Sequence, residues 1–273
     1  MILTVDIGNS NIVLGGVQGD DIVFEARIRT EATKTSDQYC VDLKILLDVY
    51  KVNPEDIEGC IISSVVPQVL NSFQTAIKKL TGKIPLVVGP GIKTGLDIRL
   101  ENPGQTGADL VVADVAALRE HKPPLIVIDM GTATTMSVLD ANGAHIGGCI
   151  IPGVRISLDA LTDRTALLPG LQLDQPKRAI GRNTIDAMRS GIMIGTACML
   201  DGMIERMEAE LGCKTTVIAT GGVSKFIVPL CKTPIIYDKD LLIKGLVALY
   251  RDNKKELITR PYTAAIWRQC PHR

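Results

Sequence analysis

The 273-residue sequence predicts an α/β protein made of two homologous halves. Short apolar runs with strand character alternate with longer runs of helical spacing, as helices crossing over a sheet require. A pattern of apolar strand, Asp-x-Gly, small polar residues, strand, turn and strand begins at Leu3 and restarts at Leu125. Because the unit occurs only twice, it describes duplicated domains and not a solenoid.

The first run, residues 3–5, is a buried strand that stops at Asp6. Asn9 to Asn11 make a turn, residues 12–17 resume extended structure, and the doublet Asp20-Asp21 turns the chain into a third strand over 22–26. Val41, Ile45, Leu46 and Val49 recur at helical spacing across 36–50, with Ser36 or Asp37 as the N-cap. Strands over 61–66 and 84–88 enclose a helix over 69–80. The glycine-rich stretch Asn102-Pro103-Gly104-Gln105-Thr106-Gly107-Ala108-Asp109 runs into a helix over 110–118. The polar, proline-rich residues 120–124 mark a boundary, which divides a domain of 1–119 from one of 120–253.

In the second half, strands over 125–128, 136–139 and 144–150 match the first three. A long helix over 184–211 has Asn183 as N-cap and Gly212 as terminator. A strand over 216–219 leads into Thr220-Gly221-Gly222, followed by a short helix, a strand over 234–237 and a last helix over 241–252. Residues 254–273 read as a polar, irregular tail without an assigned role.

Composition narrows the function classes. Apolar residues make up 46% of the chain and charged residues 22%, the profile of a soluble globular protein. Thirty basic residues balance thirty acidic ones, so no net field attracts nucleic acid or anionic lipid, and at 3% aromatics there is little to stack bases upon. Seven cysteines without a C-x-x-C pair, beside three histidines, do not compose a structural zinc site. Scattered thiols read as reduced, which points to the cytoplasm. The N-terminus lacks the basic stretch of a signal peptide, and no apolar run reaches membrane-spanning length.

An aspartate at a strand end followed by x-Gly has a clear use. The strand aims the carboxylate into a cleft, the glycine lets backbone approach a phosphate, and the next amides and hydroxyls donate to its oxygens. A carboxylate repels phosphate, so its part is to hold Mg²⁺ or another cation. One such motif is as readily a tight hairpin turn; Asp6-Ile7-Gly8-Asn9-Ser10 and Asp129-Met130-Gly131-Thr132-Ala133 at matching places favour the phosphate reading. Ala219-Thr220-Gly221-Gly222 after a buried strand leaves room for a flat ring such as adenine. Asp109 is either an N-cap or a general base facing the cleft. Gly89 to Thr94 lacks the Gly-Lys-Ser/Thr ending of a P-loop and reads as an ordinary loop. The stripe Met188, Ile192, Met199, Met203 and Met207 reads as core or, with Gly191, Gly195 and Gly202 beside it, as a close-packed subunit seam. His145 fills space in a strand.

With these motifs in order, the chain resembles the type III pantothenate kinases from Met1 to about Asn253. The connecting signatures also fit: Thr94-Gly95-Leu96, Asn102-Pro103, Gly107-Ala108-Asp109, Gly147 through Gly153, Thr165 through Pro169, and Gly181, Thr184 and Gly191. The resemblance implies two ribonuclease-H-like domains of the actin-like ATPase kind, with mixed sheets and a nucleotide cleft between them. It implies a homodimer that transfers the ATP γ-phosphoryl group to the 4′-hydroxyl of pantothenate, the first step of coenzyme A biosynthesis. Asp109 is then the catalytic base, and Gly107, Ala108, Asp109 and Thr184 meet the acceptor. Asp6, Ile7, Gly8, Asn9, Ser10, Asn11, Thr132, Gly221 and Gly222 meet ATP. Asp129 holds a monovalent cation, K⁺ or NH₄⁺, and Asp6 is associated with Mg²⁺.

Two positions depart from the family pattern. Leu110 stands where an arginine usually follows Gly-Ala-Asp, and Leu100 where a tyrosine usually precedes Asn-Pro. Loss of a charged contact to the acceptor costs on the order of 1.5–3 kcal/mol, roughly ten- to a hundred-fold in affinity. The departures leave room for a kinase of a related small acceptor, or for a non-catalytic regulator on the same fold.

Overall fold

The structure is a computed structural model and describes residues 1–259. It contains two five-stranded sheets with one strand order repeated. In the first, β1 (Ile2–Ile7), β2 (Asn11–Gln18) and β3 (Asp21–Arg29) form an antiparallel meander. After α1 (Ser36–Val49) the chain returns as β4 (Gly59–Ser64), parallel to β1, and after α2 (Pro67–Thr81) as β5 (Leu86–Val87) beside β4. Parallel neighbours need such helical crossovers, whereas the meander needs only turns.

The second sheet repeats this with β6 (Leu125–Met130), β7 (Ala133–Leu139) and β8 (His145–Pro152) as the meander. Then β9 (Thr216–Thr220) lies parallel to β6, and β10 (Ile236–Tyr237) parallel to β9. Between the sheets in sequence lies α3 (Ala108–Glu120); α4 (Val154–Asp163), α5 (Thr184–Leu211), α6 (Ser224–Ile227) and α7 (Leu241–Thr259) follow.

Each sheet buries both faces. The first packs its outer face on α1 and α2 through Leu3, Val5, Ile7, Tyr39, Leu43 and Phe73. Its other face meets α3 and α7 through Ile2, Ile61, Val112, Leu246 and Leu249. The second sheet packs one face on α5 through Ile126, Ile128, Met193 and Leu200, and the other on α3 through Leu125, Val127, Ala113 and Ala117. Helices α3 and α7 thus lie between the sheets, and α7 rests on β1 and β4 of the first sheet although it follows the second in the chain.

Several boundaries differ from expectation for identifiable reasons. Thr35, not Ser36 or Asp37, caps α1, in a reciprocal capping box with Gln38. Helix α3 begins at Ala108 with Gly107 as cap, so Asp109 lies inside the first turn and is not the N-cap. Helix α4 was not anticipated, because Val154 and Leu158 are its only fully buried side chains and signal one short stripe. Helix α7 runs to Thr259, beyond the expected end at 252, and residues 260–273 of the expected tail lie outside the described residues. Asn183 and Gly212 bound α5 as expected. No described helix is long and apolar enough to cross a membrane.

Candidate active site

Strand parity aims both aspartates the same way. Along β1, Leu3, Val5 and Ile7 enter the core beneath α1 and α2, which turns Thr4 and Asp6 to the opposite face with Ile2. Along β6, Ile126, Ile128 and Met130 enter the core beneath α5, which turns Asp129 to the face of Leu125 and Val127. That face packs on α3, and Asp109 stands in the first turn of α3. The three carboxylates therefore meet where the two sheets open beside the start of one helix.

Their electrostatics register the meeting. Burial pushes Asp6 up to about 7, and the charges of Asp109 and Asp129 push the same way, with Ser63 and Arg27 partly offsetting them. Asp129 is also pushed up to about 7, by burial and then by Asp109. Asp109 is raised by burial, against backbone N–H groups including that of Leu110, which donates to its Oδ1 at 2.8 Å. Three carboxylates held together resist ionising until a cation joins them. The arrangement suits a polyanion that arrives with its own metal.

The two Asp-x-Gly loops are hairpin turns and also face each other. Gly8 N donates to Asn11 O at 3.0 Å, and Gly131 N donates to Ala133 O at 2.9 Å. Ser10 Oγ and Thr132 Oγ1 are 2.9 Å apart, a hydrogen bond across the opening between loops from different sheets. Thr30 steadies the first loop, its hydroxyl donating to Gly8 O at 2.7 Å and its N–H to Ser10 O at 3.1 Å. Asn9, Ser10, Asn11 and Thr132 are exposed, whereas the Ile7 side chain is buried in the core, so Ile7 offers the site only its backbone.

The third loop closes against both halves. Gly221 has φ +93°, and a Cβ there would lie 2.6 Å from Met130 O and 2.7 Å from Asp129 Oδ1. Only glycine fits so near the second loop. A Cβ on Gly222 would lie 3.3 Å from Arg27 Nη1, so this loop of the second sheet meets β3 of the first. Gly107 and Ala108 lead directly to Asp109, while Thr184 is exposed at the start of α5 and takes no part in the hydrogen bonds of the carboxylate cluster.

Sequence reasoning missed Arg27, Ser63 and Thr135. The expected strand over 22–26 stops one residue short of Arg27, whereas β3 runs to Arg29; the one signal for Arg27 is a charge at the end of an alternating run. Ser63 lies opposite Asp6 in the parallel register, and Thr220 lies opposite Asp129 in the same way, so each aspartate has a hydroxyl neighbour on the next strand. The buried Ser63 hydroxyl favours the Asp6 carboxylate without a well-formed hydrogen bond.

The residues around Asp129 fit a hard cation. Thr135 lies directly across from Asp129 on β7, and its buried Oγ1 lacks a hydrogen-bond partner. A carboxylate pushed up by burial, beside an orphan oxygen, forms an all-oxygen donor set. Among the described residues no three His, Cys, Asp or Glu side chains stand close enough to make a metal cage on their own. Arg99 does not reach the acceptor side, since it donates to Asp97 Oδ2 at 2.8 Å and Asp140 Oδ2 at 3.3 Å. The loop at Gly89 to Thr94 is ordinary, held by Lys93 N donating to Asn253 Oδ1 at 3.0 Å.

A family model described as type III pantothenate kinase matches residues 2–206. A type III pantothenate kinase of Exiguobacterium sp. is 45% identical over 255 residues, covering 93% of this chain and 100% of that protein. One of Halalkalibacterium halodurans is 42% identical over 253 residues, covering 93% and 100%. Among solved structures, component A of the Acidaminococcus fermentans (R)-2-hydroxyglutaryl-CoA dehydratase is similar with TM-score 0.54 at 15% identity, covering 91% of this chain and 96% of that one. MreB 5 of Spiroplasma citri bound to AMPPNP is similar with TM-score 0.55 at 10% identity, covering 94% and 98%. The two structures speak to the fold alone, an arrangement of two mixed sheets with helices that this chain shares with both.

Proposed function

The chain belongs to the type III pantothenate kinase family, and from that premise we propose that it transfers the γ-phosphoryl group of ATP to the 4′-hydroxyl of pantothenate in the cleft between its sheets. It is an ATP-dependent kinase, whose nucleotide brings a divalent metal. The finer assignments are part of the proposal. Asp109 is the base, the loops at Asp6 and Asp129 flank the triphosphate, and Gly221 and Gly222 lie against the adenosine. Mg²⁺ is the divalent metal, near Asp6, and K⁺ or NH₄⁺ is held at Asp129 with Thr135.

The observation that carries this reading is the convergence of Asp6, Asp109 and Asp129 from two sheets and one helix. Little covalent work falls to the protein in phosphoryl transfer, so position and charge must supply the rate. Asp109 takes the proton of the 4′-hydroxyl as its oxygen bonds to the γ-phosphorus, and the bond to the β–γ bridging oxygen breaks to release ADP. Burial raises the Asp109 pKa, which makes its carboxylate a stronger base than a solvated one. Bound cations supply charge for the triphosphate and lift the mutual repulsion of the three carboxylates.

Leu100 and Leu110 keep a related small acceptor in view, since both are partly buried side chains without charge and Arg99 is engaged elsewhere. A coupled ADP-release assay separates the two readings. In potassium buffer, release is expected only when pantothenate is added, and replacing potassium by sodium is expected to depress it. Indifference to pantothenate would shift the reading to the other acceptor.

We extend the proposal to a homodimer, a cytoplasmic address and two actin-like domains divided between 119 and 120, with α7 of the expected 120–253 domain returning to pack on the first sheet. Cβ atoms on Gly191, Gly195 and Gly202 would meet open space, so α5 exposes a shallow face that a second helix can approach closely. The face of α5 that enters the second core is Met193, Ala197, Leu200 and Ile204; of the expected core stripe only Met188 is buried, and Ile192, Met199, Met203 and Met207 are half-buried at the core's margin, nearer the glycines. Sedimentation should give twice the 29.4 kDa chain mass, and Gly195→Trp should yield monomer. A native species of one chain would remove the dimer. Six cysteines among the described residues are free thiols, in keeping with a reducing compartment.

A further inference from the structure

A second polar cluster lies inside the protein, about one and a half helical turns along α3 from Asp109. Asp114 is 0% exposed, and its carboxylate accepts from Ser137 Oγ at 2.5 Å and from His145 Nδ1 at 2.6 Å. Ser137 and His145 are 2% and 3% exposed, so the cluster is sealed from substrate and solvent. Its members come from three elements: Asp114 from α3, Ser137 from β7 and His145 from β8. The helix that carries the base is therefore tied to two adjacent strands through one carboxylate.

The backbone of His145 has a further hold. Its N–H donates to Asp97 O at 2.8 Å, and its carbonyl accepts from Arg99 N at 2.8 Å. The stretch 97–99 leads directly into the loop 100–107, which carries Leu100, Asn102 and Gly107 and ends at Asp109. One end of that loop is held by the His145 backbone, and the helix at its other end by the His145 side chain through Asp114.

We propose that His145 is a positioning residue for phosphoryl transfer, fastening the acceptor loop to the helix that bears Asp109. The apolar contact between α3 and the second sheet is made mostly by Ala113, Ala116 and Ala117, with the partly buried Leu118, against Leu125, Val127, Leu139 and Ile218. Small apolar side chains hold a helix close without fixing its rotation or its shift along the axis. A buried carboxylate with two donors on different strands fixes both, because any slip stretches a charge-assisted bond where the dielectric is low. The expectation that His145 only fills space is corrected accordingly.

This inference rests on the assignment of Asp109 as base, and its test is separable from that assignment. His145→Leu removes the donor, His145→Asn keeps an N–H near the Nδ1 position, and Asp114→Leu/His145→Leu also removes the buried charge that would otherwise be orphaned. For His145→Leu and the double variant, kcat is expected to fall about ten- to a hundred-fold and the acceptor KM to rise, as small misplacements of reacting groups do. Mg²⁺-ATP affinity should stay within about threefold, and His145→Asn should lie near wild type. Hydrogen exchange should quicken across 97–111 in His145→Leu and not in 6–11 or 129–133. If His145→Leu does not fold, the double variant carries the same reading. Wild-type kcat and acceptor KM in a folded double variant would overturn the proposal. So would a His145→Asn loss as deep as the Leu loss, or unaltered exchange across 97–111. Full turnover by Asp109→Asn would instead remove the base and leave the exchange result to judge the clamp.

Discussion

Asp109→Asn is expected to lower kcat by about 10²- to 10⁴-fold, the range of a positioned general base, with Mg²⁺-ATP affinity close to wild type. The amide matches the carboxylate in size and can still accept from Leu110 N, as Oδ1 does at 2.8 Å, so the start of α3 keeps its shape. What is lost is the site for the proton. Asp109 also raises the pKa of Asp6 and Asp129, so with the neutral replacement both should ionise at lower pH. Calorimetric titration with Mg²⁺-ATP and steady-state rates with pantothenate are the two measurements. Turnover retained within about threefold would show that the hydroxyl loses its proton elsewhere, as a loose phosphoryl-transfer transition state could permit.

Gly221→Val is expected to weaken Mg²⁺-ATP binding about ten- to a hundred-fold with the fold retained. A β-branched residue at φ +93° carries backbone strain on the order of 1–3 kcal/mol. The added carbon also has to find room 2.6 Å from Met130 O and 2.7 Å from Asp129 Oδ1. Both atoms belong to the second Asp-x-Gly segment, so relief of the clash displaces the loop itself. The same variant should need more potassium for half-maximal rate, because the oxygen it crowds is the one assigned to the cation. A circular-dichroism melt within a few degrees of wild type establishes that the fold survives. Unchanged nucleotide and potassium dependence in such a protein would take Gly221 out of the site.

How far the residues announced this site varies with the distance between partners. The doubled strand, Asp-x-Gly, strand, turn, strand pattern was plain, because each of its parts is read within a few neighbours. The cap of α1 was missed by one position although Thr35 and Gln38 spell a capping box. Asp109 reads either way, since an acid near a helix start serves equally as cap or base, and only the structure shows that the cap is Gly107. His145 reads as a space-filler because its partner Asp114 lies 31 residues away on another element. Arg27 and Gly222, from opposite halves, meet only when the halves face each other.

The sequence by itself determined that there are two like halves and that each carries an aspartate close to the end of a buried strand. Those are matters of covalent order and local pattern, which hold before any long-range contact forms. Only the tertiary structure decided that both aspartates look at the same helix, and that a buried carboxylate ties this helix to β7 and β8. The physical reason is that alternation tells two faces of a strand apart but does not say what packs on either. That is settled by which apolar surfaces bury one another, a choice made over the whole chain at once.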